Sequence, residues 1–138
     1  MSKEEKFVNI GGDEETYVPK DAVEEITTLA KFCHGVIAQF SQAYGQDLKA
    51  WEALIHGEQQ HYIGRVAHFM TYPDSTAGGP HEAWKMRLML NGWSHGSVFD
   101  SERKTRPELV YFSQLAPEQQ AVDFIIKGIV DEMFNQFI

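Results

Sequence analysis

Apolar residues recur at helical spacing in four separate segments of the chain, and this periodicity restricts the fold more than any other feature of the sequence. The first segment begins near Asp21, a candidate N-cap with Glu24 three residues later, which is the arrangement of a capping box. It runs to about Ala43 and is closed by Gly45. Its apolar stripe consists of Ile26, Leu29, Ala30, Cys33, Val36, Ile37 and Phe40. A long amphipathic helix is therefore expected here.

Three further helices are predicted downstream. The second follows Gly57 and ends before Pro73. The third has Pro80 in its first turn and Gly92 as its stop signal, and the fourth opens at Pro117. The expected core-facing positions of the second and fourth helices are Tyr62, Ile63, Val66, Ala67, Met70, Val122, Ile125, Ile126, Ile129 and Met133. Since all the long periodic segments are helical, the fold is expected to be mainly α.

The remaining segments lack helical periodicity. Residues 1–20 are predicted to form a flexible N-terminal arm, which leaves residues 21–138 as a single domain. Between the third and fourth helices, residues 97–99 and 109–112 are expected to pair as short antiparallel strands across a charged turn. The sequence thus predicts a mainly α, compact domain of about four helices with a small β-hairpin.

Composition narrows the classes of function. The 138 residues carry a formal net charge of −8 and a single cysteine, so neither bulk nucleic-acid binding nor an internal disulfide is expected. No apolar run approaches the ~20 residues of a membrane span, and no signal peptide is apparent, so we expect a cytoplasmic protein without a membrane partner. Residues 84–107 nevertheless hold five of the twelve basic residues. Arginine forks in such a segment suit a phosphate or a carboxylate.

Two short motifs suggest catalytic chemistry, but their contexts do not support it. Gly92-Trp93-Ser94-His95-Gly96 satisfies the G-x-S-x-G pattern of serine hydrolases, which places the serine between a strand and a helix. Here a helix precedes the motif and a loop follows it. Glu58 and His61 form one E-x-x-H unit, whereas a di-iron bundle requires two. No catalytic residue, metal ligand or cofactor is therefore expected, and the protein is predicted not to be an enzyme.

Polar side chains on two of the predicted helices admit two interpretations each. His61, Arg65 and His68 share one face of the second helix, which either meets an anion or is simply solvated. Arg87 falls within the apolar arc of the third helix. Its side chain either extends outward to solvent or meets a buried anion.

A wider set of spacings resembles a known family. The residues concerned are His81, Trp84, Gly92-Trp93, Gly96, Asp100, Lys104, Pro107, Leu109, Leu115 and Asp123. They are similar to the H-x-x-W, G-W-x-x-G and following acid, lysine, proline and leucine of the ryanodine-receptor repeat domain, particularly its single-repeat bacterial and phage members. His95 stands where that family usually has tyrosine, and Arg106 where it usually has histidine. The resemblance implies a helical, non-catalytic regulatory module of a type associated with adenine nucleotides.

The residues and the resemblance together lead to one hypothesis of function. It is a non-enzymatic module that binds or sequesters a phosphorylated, nucleotide-like small molecule, such as a host signalling nucleotide if the chain is encoded by a phage. Bases stack on aromatic rings, and arginine forks hold phosphates. The candidate ligand-binding residues are His81, Trp84, Arg87, Trp93, His95, Arg103, Lys104, Arg106 and Tyr111. Trp84 and Trp93 fill the core if they do not line this site.

The alternative is a protein-interaction or regulatory module with no small-molecule ligand. Phe124 projects away from the main stripe of the last helix, and residues 134–138 end the sequence with further apolar side chains. Because receptor repeats occur in pairs, a homodimer or higher homo-oligomer is also expected.

Overall fold

Four α-helices make up most of the described structure, a computed structural model that covers residues 6–10 and 17–134. They are α1 (Val23–Gln42), α2 (His56–Thr71), α3 (Gly79–Leu90) and α4 (Pro117–Phe134). The prediction of a mainly α fold with about four helices and a small β-hairpin is confirmed. Within the described ranges, none of the helices combines the length and the apolar character that crossing a membrane requires.

The small β-hairpin lies near the N-terminus, where the sequence analysis placed no strand. It consists of β1 (Phe7–Asn9) and β2 (Tyr17–Pro19), which pair antiparallel with Val8 opposite Val18. Val18 is buried, so β2 contributes a side chain to the core. The alternation of exposed and buried positions in β2 is that of a strand with one covered face.

The predicted N-terminal arm, residues 1–20, is only partly described. Residues 1–5 and 11–16 of this arm lie outside the described residues, and so do residues 135–138, which include most of the apolar C-terminal end. The flexibility of the arm and the domain boundary after residue 20 therefore stay predictions.

The prediction of antiparallel strands between the third and fourth helices is wrong, both in their position and in their direction of pairing. Residues 97–99 and 109–112 are not strands. Instead, β3 (Ser94–His95) and β4 (Thr105–Arg106) form a two-residue parallel pair, with Ser94 opposite Thr105 and His95 opposite Arg106.

The physical reason is an early chain reversal at Asp100. Its backbone exchanges two hydrogen bonds of 3.0 Å with Thr105, and its Oδ1 accepts hydrogen bonds from the N–H groups of Glu102 and Arg103. Lys104 completes the turn with φ +57°, in the left-handed region. The chain thus turns back before residues 97–99 can pair with residues further on.

The chain divides into two compact units. Unit 1 comprises Met1–Asp74 and Ile125–Ile138, and unit 2 comprises Ser75–Phe124. In unit 1, α1 and α2 pack against each other. Unit 2 contains α3, β3 and β4, together with the first residues of α4.

The core of unit 1 follows most of the predicted apolar stripes. Its buried helical side chains are Ile26, Ala30, Cys33, Ile37, Val66, Ala67, Phe69, Ile126 and Val130. Two predicted core positions are wrong, because Val36 and Met133 are exposed. The largest of the fully buried side chains is Phe69, which the predicted stripe of α2 omitted.

The predicted capping box at Asp21 and Glu24 is also wrong. A 3₁₀ turn, Lys20–Ala22, leads directly into α1, and no side chain caps the first turn of the helix. The backbone therefore enters the helix already in a helical conformation and leaves no bend at which Asp21 could act as N-cap.

The polar face of α2 is more buried than either interpretation assumed. Arg65 is buried, so a simply solvated face is wrong for this residue. His61 and His68 are half-buried, with ring contacts to Tyr62 and Phe69 respectively. These three polar side chains all interact within the protein.

We expect Cys33 to be inert towards alkylating reagents in the native protein. Burial raises the pKa of its thiol to about 12, so the nucleophilic thiolate is scarce at pH 8 and the sulfur is covered. Mass spectrometry after iodoacetamide treatment should show no adduct in buffer and one adduct in concentrated urea. Equal rates of alkylation in the two conditions would contradict the buried position.

Candidate ligand-binding site

All nine candidate ligand-binding residues lie in unit 2. Their positions are set by three features: the C-terminal end of α3, the β3–β4 pair, and the turn that begins at Asp100. The structure brings Trp84, Trp93 and Arg106 together. Of the other candidates, His81 contacts Trp84 with ring centroids 5.5 Å apart.

The end of α3 fixes the direction in which Trp93 leaves the helix. Gly92 has φ +90°, and its N–H donates to the Met89 carbonyl oxygen, while the Trp93 N–H donates to the Leu88 carbonyl oxygen. These bonds form a Schellman motif, which confirms Gly92 as the helix stop. Lys104 reinforces the motif, because its Nζ donates to the Asn91 carbonyl oxygen at 3.0 Å.

The parallel strand pair carries Arg106 back to the end of α3. The N–H of Ser94 donates to the Lys104 carbonyl oxygen at 2.9 Å, and the N–H of Gly96 donates to the Arg106 carbonyl oxygen at 3.2 Å. Gly96 is required at this close approach, since a Cβ there would lie 2.6 Å from the Thr105 Cβ. The G-x-S-x-G glycines therefore serve chain geometry.

Three aromatic rings surround the guanidinium group of Arg106. Its central carbon lies 5.4 Å from the ring centroid of Trp84, 5.7 Å from that of Trp93 and 5.1 Å from that of Phe99. Trp93 and Phe99 are stacked, with centroids 6.0 Å apart. We call these four residues the Arg106 cluster. Distances within about 6 Å over a ring face allow cation–π attraction.

One hydrogen-bonding group of Arg106 is buried and unused. Its Nε is buried and has no hydrogen-bond partner among the described residues. The nearest acid is Glu108, whose Oε1 lies 3.9 Å from that nitrogen, too far for a hydrogen bond. The rings thus hold a guanidinium group in place while its Nε lacks an acceptor among the described residues.

The other basic candidates differ in how far they are engaged. Arg103 is the most open, with a side chain 85% exposed and only a long 3.9 Å ion pair to Asp100. Lys104 is tied to the end of α3. Arg87 is half-buried, and its guanidinium has no partner within residues 6–10 and 17–134.

His81 contacts the Arg106 cluster through Trp84, with ring centroids 5.5 Å apart, whereas Tyr111 contacts Lys85 instead. His81 is buried and its Nε2–H donates to the Val110 carbonyl oxygen at 2.8 Å, so this nitrogen already supports the fold. Tyr111 is exposed and its ring lies 3.9 Å below the Lys85 ammonium. His95, on β3, is exposed.

Phe99 and Glu82 were not predicted from the sequence. Phe99 completes the Arg106 cluster, but it lies in a loop, and no regular spacing links it to Trp93. Glu82 accepts hydrogen bonds from the Phe112 N–H and the Lys85 ammonium, both at 3.0 Å. Burial acts to raise the pKa of Glu82, but these two donors outweigh it and hold the pKa below its usual value. The carboxylate thus joins α3 to the segment that follows β4.

The Arg106 cluster offers aromatic rings and a cation to a ligand. Among the described residues, no group of three or more His, Cys, Asp or Glu side chains is placed to hold a metal ion. Ser94 lies on an exposed two-residue strand instead of the strand-to-helix turn that activates a hydrolase serine. Stacking and charge-assisted hydrogen bonding are the interactions that the Arg106 cluster can supply.

A known protein family matches part of the chain. Residues 66–129 match the family model of the RyR domain, a range that contains all nine candidate residues and the whole Arg106 cluster. No curated protein sequence matches the chain significantly. The matched range agrees with the spacings between His81 and Asp123 that resemble the ryanodine-receptor repeat. Over residues 66–129 the chain is therefore similar to the RyR domain family, the family whose spacings it resembles.

Proposed function

We propose that this protein binds a phosphorylated, nucleotide-like small molecule at the Arg106 cluster and does not transform it chemically. The observation that carries the proposal is a guanidinium group held by three rings while its buried Nε lacks an acceptor among the described residues. A cation held in this way loses little side-chain freedom on binding a phosphate. Arginine presents a planar fork that matches phosphate oxygens.

A base is accommodated by the aromatic part of the same cluster. Phe99 is 57% exposed and stacks on Trp93, so its outer face offers a platform to a planar ring. Stacking of a base on an aromatic side chain contributes about 1–3 kcal/mol. Arg103, with its exposed guanidinium, supplies a second cation for a ligand with several phosphates.

The proposal assigns no turnover, because the groups near the cluster serve binding and structure. His81 uses one nitrogen to hold Val110, and Lys104 holds the end of α3. Without a catalytic step, binding would act by sequestration or regulation. In a phage-encoded protein the ligand would be a host signalling nucleotide, and the site of action would be the host cytoplasm.

Thermal unfolding with a panel of linear and cyclic nucleotides tests the proposal. A ligand at 100 times its Kd should stabilise the wild-type protein by about 2.7 kcal/mol and raise the melting temperature. Arg106→Ala should abolish the rise, measured against the melting temperature of the same variant without ligand. Arg106→Lys should lose most of it, since the charge remains but the planar fork is lost.

The matched control is Lys20→Ala, because Lys20 is exposed and lies outside the matched range. Arg65 is a less suitable control position because it is buried. The Lys20→Ala variant should respond to nucleotide as the wild type does. The proposal fails if no nucleotide raises the melting temperature and native mass spectrometry finds no retained small molecule. It also fails if Arg106→Ala responds like the wild type.

A protein-interaction module remains a second candidate, favoured by an exposed apolar face on α3. Met86, Met89 and Leu90 lie at i, i+3 and i+4, and Leu90 is 79% exposed. Phe124 is also exposed, as its predicted direction required. Self-association through such faces should give a light-scattering mass above that of one 15.7 kDa chain at micromolar concentration. A monomer mass would contradict the homo-oligomer.

A further inference from the structure

A second polar group without a partner lies in unit 1, outside the proposed nucleotide site. His34 on α1 is 3% exposed, and its Nε2 lies 2.7 Å from the Lys49 carbonyl oxygen. Because a carbonyl oxygen can only accept, Nε2 carries the proton and donates. In the neutral ring Nδ1 is then a bare acceptor. This nitrogen is buried and has no hydrogen-bond partner among the described residues.

Two further aromatic side chains, Trp51 and Tyr62, adjoin His34. The ring centroids of Trp51 and Tyr62 lie 6.0 Å and 5.0 Å from that of His34, and 6.2 Å from each other. Burial, followed by the charge of Glu58, raises the pKa of Tyr62, so its hydroxyl keeps its proton.

The backbone beside these rings is pinned, which limits how far the site can rearrange to pair Nδ1. Lys49 is held by His34, and the Trp51 carbonyl oxygen accepts a 2.7 Å hydrogen bond from Gln59 Nε2. The nearby Glu52 is engaged with Lys31 at 2.7 Å and does not hydrogen-bond Nδ1.

We infer that His34 Nδ1, with Trp51 and Tyr62 around it, forms a binding site for a small uncharged hydrogen-bond donor. Buried acceptors in native proteins are satisfied by a protein group, by ordered water or by a ligand, and the described residues supply no protein group here. The three rings contact one another directly, with centroids 5.0 to 6.2 Å apart, so only a small donor fits beside Nδ1. Water and a small organic alcohol or amide share this chemistry.

Nitrogen NMR on the full-length, ¹⁵N-labelled protein tests the inference directly. The His34 imidazole should show a protonated Nε2 and an unprotonated Nδ1 whose resonance is displaced from that of a free acceptor towards a hydrogen-bonded one. Water as the donor predicts nuclear Overhauser contacts between His34 ring protons and a long-lived water. An organic donor predicts a retained mass by native mass spectrometry. A Nδ1 resonance at the free-acceptor position, or a protonated Nδ1, overturns the inference.

The variant His34→Gln provides the control. A glutamine amide can still donate to the Lys49 carbonyl oxygen, but it places no acceptor where Nδ1 lies. We expect the long-lived water contact or the retained mass to be lost, while the amide resonances around Lys49 and Trp51 keep their native dispersion. Persistence of the bound donor in this variant would show that Nδ1 does not hold it. These measurements do not depend on nucleotide binding, so the inference about His34 and the proposed function can fail separately.

Discussion

Replacing Phe69 by alanine should destabilise the protein by about 3–5 kcal/mol. Phe69 is fully buried in α2 and is the largest of the fully buried side chains. The loss combines the transfer free energy of the ring with the cavity it leaves. The ring also lies 5.6 Å from the Lys127 ammonium, an attraction that the substitution removes. Since domains have about 5–15 kcal/mol of stability, much of the margin would disappear.

The midpoint of urea unfolding measures this effect, and Phe32→Ala is the matched control. Phe32 is on α1 and is 53% exposed, so the same truncation there removes far less buried surface. We expect a change of about 0.5 kcal/mol for this variant. If the two substitutions lowered the midpoint equally, Phe69 would not lie in the core.

Phe69 shows that helical periodicity predicts the position of a helix better than it predicts which of its side chains are buried. The pattern in α2 locates the helix, because apolar residues recur every three to four positions over four turns. Several neighbouring positions fit the same template, and the prediction chose Tyr62, Ile63 and Met70, which are only half-buried. Which positions are covered depends on the neighbouring elements, and one sequence does not specify these.

The short strands were harder to predict for a different reason. β3 and β4 have two residues each, which is too few to show the alternation of apolar and polar residues that identifies a strand. Their pairing follows from local hydrogen bonds at Asp100 and from the left-handed Lys104, a conformation that lysine seldom adopts. Composition marked a charged turn here, but it did not indicate where the turn would close.

The candidate site was predictable in its chemistry and less so in its geometry. Residue types and the family resemblance selected Trp84, Trp93 and Arg106, which the structure brings together. They also selected Tyr111, which lies against Lys85 instead. Phe99 was missed because its position beside Arg106 depends on the course of a loop, which has no period to follow.

Gly96→Ala should destabilise the protein by about 1–3 kcal/mol, although it adds only a methyl group. The new Cβ would lie 2.6 Å from the Thr105 Cβ and 3.0 Å from its Oγ1. The Thr105 Cβ is bonded to the backbone, so no rotamer change can relieve this contact and β3 and β4 must separate. Because the Gly96 N–H donates to the Arg106 carbonyl oxygen, the separation would also displace the residue that carries the proposed function.

Two comparisons make the Gly96 prediction specific. Gly35→Ala, on an exposed position of α1 where a Cβ meets nothing within 4 Å, should stabilise the protein by about 0.5–1 kcal/mol. Thr105→Gly removes the obstructing atoms at the cost of the hydrogen bond from Oγ1 to the Val98 carbonyl oxygen. The double variant, which combines Gly96→Ala with Thr105→Gly, should therefore lose less stability than the two single variants lose together. Urea unfolding of all three variants measures these losses. Additive losses would show that the contact between these two residues is not the cause, and that the β3–β4 pair tolerates a side chain at position 96.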